Sequence, residues 1–170
     1  MTARKVMLLG EMGVGKTSLV RRLVRGEFKE NYAATIGVDL YPWHVDNAGP
    51  AGDQPFEMVI WDTDGHRGTR IVDDWYTRGA AGALVIADAT RPQTLDLMVE
   101  YARAFTLKMP GSAVVMIINK ADLVSGPDAV AIPAGSEVFD APLLWTSART
   151  GDNVRSAFAS LAGAIMRRGI

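Results

Sequence analysis

Near the start of the chain, Gly10-Glu11-Met12-Gly13-Val14-Gly15-Lys16-Thr17 sets glycines, a lysine and a hydroxyl at the spacing G-x-x-x-x-G-K-[ST]. These residue types suit phosphate. The glycines let the backbone N–H groups of Gly13, Val14 and Gly15 converge on an anion. A helix starting directly afterwards adds the positive end of its dipole. Lys16 then reaches the outer phosphates, and Thr17 offers a hydroxyl to Mg²⁺.

Three later segments carry matching chemistry. The apolar run Met58-Val59-Ile60-Trp61 ends in Asp62, an acid placed to reach the Mg²⁺ shell through water. Gly65 follows three positions on, where a residue without a side chain lets its N–H approach a γ-phosphate. Asn119-Lys120-Ala121-Asp122 comes after the apolar run 114–118. A carboxylate at Asp122 can accept from both N1–H and the 2-amino group of guanine. Adenine lacks that donor pair, so Asp122 selects GTP over ATP. Asn119 can tie this loop to the first one, and the Lys120 stem can cover the base. In Thr146-Ser147-Ala148 the Ala148 N–H is placed to donate to guanine O6, with Ser147 bracing the loop. The same segment also reads as a cap for a helix starting near Asp152-Asn153.

Alternating apolar runs and helical spacings position these loops. Strands are expected at 6–9, 38–45, 57–61, 83–87, 113–118 and 143–145, and helices at 18–25, 94–108 and 154–166. The alternation predicts an α/β fold: a six-stranded, mostly parallel sheet with an antiparallel edge strand and helices on both faces. Pro42 marks 38–45 as that edge, and the turn-rich stretch 47–55 is the tip of a hairpin to the next strand. Between Leu123 and Pro142 stand Gly126, Pro127, Pro133 and Gly135, which predict a short or degraded helix and irregular chain from about Ile132.

The 170 residues are enough for one domain spanning 1–170. A net charge of −1 and a pI near 6.1 exclude a basic footprint for nucleic acid or anionic membrane. Arg21, Arg22, Arg25, Arg167 and Arg168 are too scattered to change this and read as solvated helix faces. The chain has no cysteine, which removes disulfides, cysteine zinc sites and cysteine-linked lipids. No apolar run approaches a membrane span, and no signal peptide is visible. A cytoplasmic protein with no direct lipid anchor is expected.

Taken in order, the residues 10–17, Tyr32-Ala33-Ala34-Thr35-Ile36-Gly37-Val38-Asp39, Trp61-Asp62-Thr63, Arg78-Gly79-Ala80, 119–122 and 146–148 resemble the Ras-like small GTPases. The likeness is closest to the Rab branch and fits an unlipidated, prokaryotic-type member. It implies the small G domain of the P-loop NTPases, with Mg²⁺ as cofactor and GTP or GDP as ligand. It also implies that Thr35 ligates Mg²⁺ and touches the γ-phosphate, that Phe28 packs edge-on against guanine, and that Tyr32 covers the phosphates. Ser18 and Arg149 join the nucleotide-binding set. The catalytic set is then Lys16, Thr35, Gly65 and His66. Two switch regions, about 28–40 and 62–76, would meet effector, activating and exchange proteins.

Three positions depart from that family at the γ-phosphate. His66 replaces the usual water-orienting glutamine, Asp64 replaces alanine, and Met12 stands where glycine or serine is usual. Arg67 and Arg70 are near enough in sequence to act as an arginine finger, although surface arginines are the default. Two readings share every binding residue: a molecular switch that hydrolyses GTP slowly, and a GTP-binding scaffold with little or no hydrolysis. A P-loop kinase or ATPase is a third, against which Asn119 to Asp122 argues.

Overall fold

The computed structural model describes residues 3–30, 35–45, 56–63, 74–136 and 141–169, with backbone alone at 74 and 75. Its strands are β1 (Ala3–Leu9), β2 (Val38–Val45), β3 (Phe56–Thr63), β4 (Ala80–Asp88), β5 (Ala113–Asn119) and β6 (Leu143–Trp145). Its helices are α1 (Lys16–Arg25), the single turn α2 (Asp74–Thr77), α3 (Pro92–Lys108) and α4 (Val154–Arg167).

The strands form one sheet in the order β2-β3-β1-β4-β5-β6. All pairings are parallel except β2 with β3, which runs antiparallel from Val38 opposite Thr63 to Val45 opposite Phe56. Pro42, which has no N–H to give a second neighbour, therefore sits on an edge strand as expected. The hairpin tip 47–55 lies outside the described residues.

Alternation along β1 divides the core. Val6 and Leu8 join one cluster with Leu19 of α1 and Phe158, Leu161 and Ile165 of α4. Met7 and Leu9 join the other with Leu95, Met98, Tyr101 and Phe105 of α3. Helices thus cover both faces. The strand order reverses about β1, whose neighbours are β3 and β4. The crevice beyond the carboxyl ends of strands at such a reversal is where open α/β sheets bind ligands.

Several elements run longer than their apolar cores. β1 begins at Ala3 because Arg4 and Lys5 pair with Met58 and Val59 of β3. Lys5 stays in a sheet by laying its ammonium 3.6 Å from the centre of the Trp61 ring, and burial lowers its pKa. β4 takes in Ala80-Ala81-Gly82, small residues of low strand propensity held by β1 and β5. α3 starts at Pro92, which needs no N–H partner in a first turn. The breakers after Leu123 have their expected effect. Residues 121–136 hold the 3₁₀ turns Ala121–Leu123 and Pro127–Ala129 and no α-helix. Among the described residues no helix is long and apolar enough to cross a membrane.

Candidate nucleotide-binding site

The loop from Gly10 to Gly15 joins β1 to α1 at the sheet's reversal. Gly10 and Gly15 have φ of +147° and +103°, in the region that favours glycine. A Cβ on Gly10 would collide with the Ile86 carbonyl, and one on Gly15 with the Asn119 side-chain amide. The loop curls around Lys16, which is only 5% exposed. Its Nζ donates to the carbonyls of Gly10 at 2.9 Å and Glu11 at 3.1 Å. Both of these acceptors are neutral carbonyls.

Beside it lies a set of oxygen donors. The hydroxyls of Thr17, at the start of α1, and Thr35 are 2.8 Å apart. Asp62, near the end of β3, is fully buried, and neither carboxylate oxygen has a hydrogen-bond partner among the described residues. Burial pushes its carboxyl up to about 6, against the opposing pull of the Thr17 hydroxyl and the Lys16 charge. A buried acid near only the Thr17 hydroxyl and the Lys16 charge among the described residues calls for a cation. Among the described residues no three His, Cys, Asp or Glu side chains gather to hold one. The metal suited here binds one carboxylate, a hydroxyl or two, water and phosphate oxygens, which is the preference of Mg²⁺. The donor set fits it.

The base end is built on Asn119, at the end of β5 and 1% exposed. Its Nδ2 donates to the Val14 carbonyl at 2.9 Å, which ties the two loops together as expected. Its Oδ1 accepts from the Thr146 hydroxyl at 3.1 Å and the Ala148 N–H at 3.2 Å. The N–H expected to face guanine O6 therefore donates here to Asn119 Oδ1 instead. Ser147 Oγ donates to Asp122 Oδ1 at 2.6 Å and accepts from the Thr150 N–H at 3.1 Å, so it braces the loop. It does not cap α4. Asn153 takes the N-cap position and sends its own amide to the Trp145 carbonyl.

These walls enclose a cavity of about 390 Å³, within the range of small-molecule sites. Gly13, Gly15 and Ser18 line it on the phosphate side. Phe28 borders it and also packs against the core. Asn119, Lys120, Asp122 and Ala148 line the side opposite, and Arg149 meets Glu30 in an exposed ion pair at 3.6 Å. Tyr32, Asp64, Gly65, His66, Arg67 and Arg70 lie outside the described residues.

Three residues of consequence escaped the sequence reading. Asp88, at the end of β4 and 1% exposed, pairs with Lys120 at 2.6 Å and Arg91 at 3.1 Å, and accepts from the Thr90 N–H and hydroxyl. Burial alone would raise its carboxyl; the Lys120 ammonium and the two Thr90 donors hold it below the ordinary value instead. Arg91 also donates to the Met12 carbonyl at 2.8 Å, anchoring the phosphate loop from outside. An acid at the end of a buried strand, as at Asp62, was the available signal for Asp88. The third is Arg22, whose guanidinium bonds three carbonyls, so the solvated-face reading fails for it. Arg168 stays exposed while donating to the carbonyls of Gly111 and Ser112.

Residues 5–167 match the protein-family model described as "Ras family". The chain is similar to Ras-related protein RABA1f of Arabidopsis thaliana, at 35% identity over 171 residues covering 96% of this chain and 75% of that protein. It is also similar to Ras-related protein Rab-4B of Homo sapiens, at 32% identity over 167 residues covering 96% and 76% of the two chains. For Ras-related protein RIC1 of Oryza sativa subsp. japonica the values are 32% over 168 residues, 96% and 81%.

Proposed function

Since this chain belongs to the Ras family, as a GTP-binding small GTPase of the Rab branch, we propose that it is a slow molecular switch. It holds GTP or GDP between the 10–17 loop and the 119–122 and 146–149 loops, and hydrolyses GTP at a low intrinsic rate. One observation carries the phosphate half of this reading. The Asp62 carboxylate lies buried at the end of β3, close enough to Thr17 and Lys16 for both to lower its pKa. Thr17, Thr35 and, through water, Asp62 would hold Mg²⁺, which when bound neutralises phosphate charge.

The chain's own residues do the rest. Lys16 and the amides of residues 13–15 stabilise charge that develops on the phosphates. Asp122 and the Ala148 N–H read the base. Gly65 would approach the γ-phosphate through its N–H. His66 would stand where a glutamine usually orients the attacking water; an imidazole has a shorter reach and a fixed ring, which motivates the slow rate. Asp64 would add negative charge near the phosphate. Met12, 40% exposed, narrows the approach for a group supplied by a partner. Effector, activating and exchange proteins would read the segments about 28–40 and 62–76.

Single-turnover GTP hydrolysis, with the protein in excess over nucleotide and Mg²⁺ present, tests this. Wild type should turn over slowly and His66→Gln about tenfold or more faster. Equal rates in the two would remove His66 as the cause. Silence in both would favour a scaffold that needs only bound GTP.

A further inference from the structure

Arg22 sits on α1, six residues after Lys16, or about 9 Å along the helix axis. Its Nε donates to the Ala148 carbonyl at 2.8 Å, its Nη1 to the Gly26 carbonyl at 2.8 Å, and its Nη2 to the Arg149 carbonyl. The Gly26 bond alone would be ordinary, since an arginine in the last turn often satisfies carbonyls at its own helix end. The other two are not explained that way. They reach across 126 and 127 residues to the loop that carries the Ala148 N–H. The side-chain stem packs there too, with Cδ 3.7 Å from where a Gly151 Cβ would lie.

We propose that Arg22 is a positioning residue for base recognition, holding both walls of the base pocket at a fixed distance from the phosphate loop. Ala148 is gripped from two directions, its N–H by Asn119 and its C=O by Arg22. Gly26 is the C-cap of α1, two residues before Phe28, so the same guanidinium sets the root of the opposite wall. Since α1 begins at Lys16 and Thr17, displacement of the Phe28 wall pulls on the Ala148 wall through one side chain. A planar fork can serve three carbonyls in two segments; a lysine ammonium, a flexible point charge, cannot hold the same geometry.

The inference rests on the guanine-binding reading, and the test separates the two. The full chain would be compared as wild type, Arg22→Gln, Arg22→Lys and the exposed-site control Arg25→Gln. Release of fluorescent mant-GDP would be timed with Mg²⁺ and again in EDTA. Amide hydrogen exchange of residues 146–151 would be followed in nucleotide-free protein. Arg22→Gln should release nucleotide about tenfold to a hundredfold faster, the equivalent of one or two net hydrogen bonds. The factor should be the same in Mg²⁺ and EDTA, because the base end is loosened and the metal end is not. Exchange should rise at 146–151 and stay unchanged in β4 and β5. Arg22→Lys should recover part of the effect, and Arg25→Gln should match wild type. An unchanged release rate with unchanged loop protection overturns the proposal. Protection lost throughout the core in both Arg22 variants also overturns it, since Arg22 would then be holding the fold as a whole. The exchange arm needs no nucleotide, so a wild type that takes up no mant-GDP counts against the guanine reading, while loop protection still decides for or against the brace.

Discussion

The Asp62 carboxylate should make the metal-free protein less stable than an Asp62→Asn variant. A carboxyl held at about 6 instead of 3.8 costs the folded state about 3 kcal/mol at neutral pH. The folded chain keeps this proton to a higher pH than the unfolded chain does. The cost is therefore absent below about pH 4, grows between the two values and is complete above about pH 6. An asparagine amide buried in the same place takes back about 1–2 kcal/mol. The net gain is about 1–2 kcal/mol, or roughly 3–6 °C in Tm for a chain of this size. Urea unfolding in EDTA at pH 7.5 and pH 4.5 would measure it: Asp62→Asn more stable at the higher pH, the gap shrinking or reversing at the lower. With Mg²⁺ and GDP the order should invert, because bound ligand stabilises the wild type by mass action and the variant binds it less well. An Asp62→Asn protein that is less stable than wild type in EDTA at pH 7.5 would refute the idea that this acid waits for a cation.

Gly15→Ala should abolish tight nucleotide binding and cost about 1–3 kcal/mol, because φ of +103° and the Asn119 amide both oppose a side chain there; thermal melting and mant-GDP titration would show it. Lys120→Met should cost about 1–2 kcal/mol near pH 7 by stripping the buried Asp88 of its closest cation. The depressed Asp88 carboxyl contributes stability that is present at neutral pH and lost as pH falls below the ordinary carboxylate range. Acid titration of stability should therefore be shallower in Lys120→Met than in wild type.

The binding loops were legible because each is contiguous: 10–17, 119–122 and 146–148 carry their chemistry in neighbouring residues, and apolar runs before them announce the strands that aim them. Asp62 was legible for the same reason. Asp88 ends an equally apolar strand, yet its partners Lys120 and Arg91 meet it only once β4 and β5 pair. Arg22 was illegible in a stronger sense. It bonds backbone carbonyls, which every residue has, so no residue type at 148 or 149 could have pointed to it. Strand lengths failed at Ala80 to Gly82, where neighbours on both sides impose a conformation that small residues do not prefer. The breakers after Leu123 were legible because proline and glycine act locally.

Displacement of mant-GDP by GTP and by ATP, on wild type and Asp122→Asn, bears most directly on the reading of this pocket. A site built to pair a carboxylate with two guanine donors should reject adenine by about 10⁴-fold or more. GTP should therefore displace the probe from wild type where ATP does not, and Asp122→Asn should lose most of that preference. Equal displacement by ATP and GTP from wild type would contradict a guanine-specific site and return the chain to the wider class of phosphate-loop proteins.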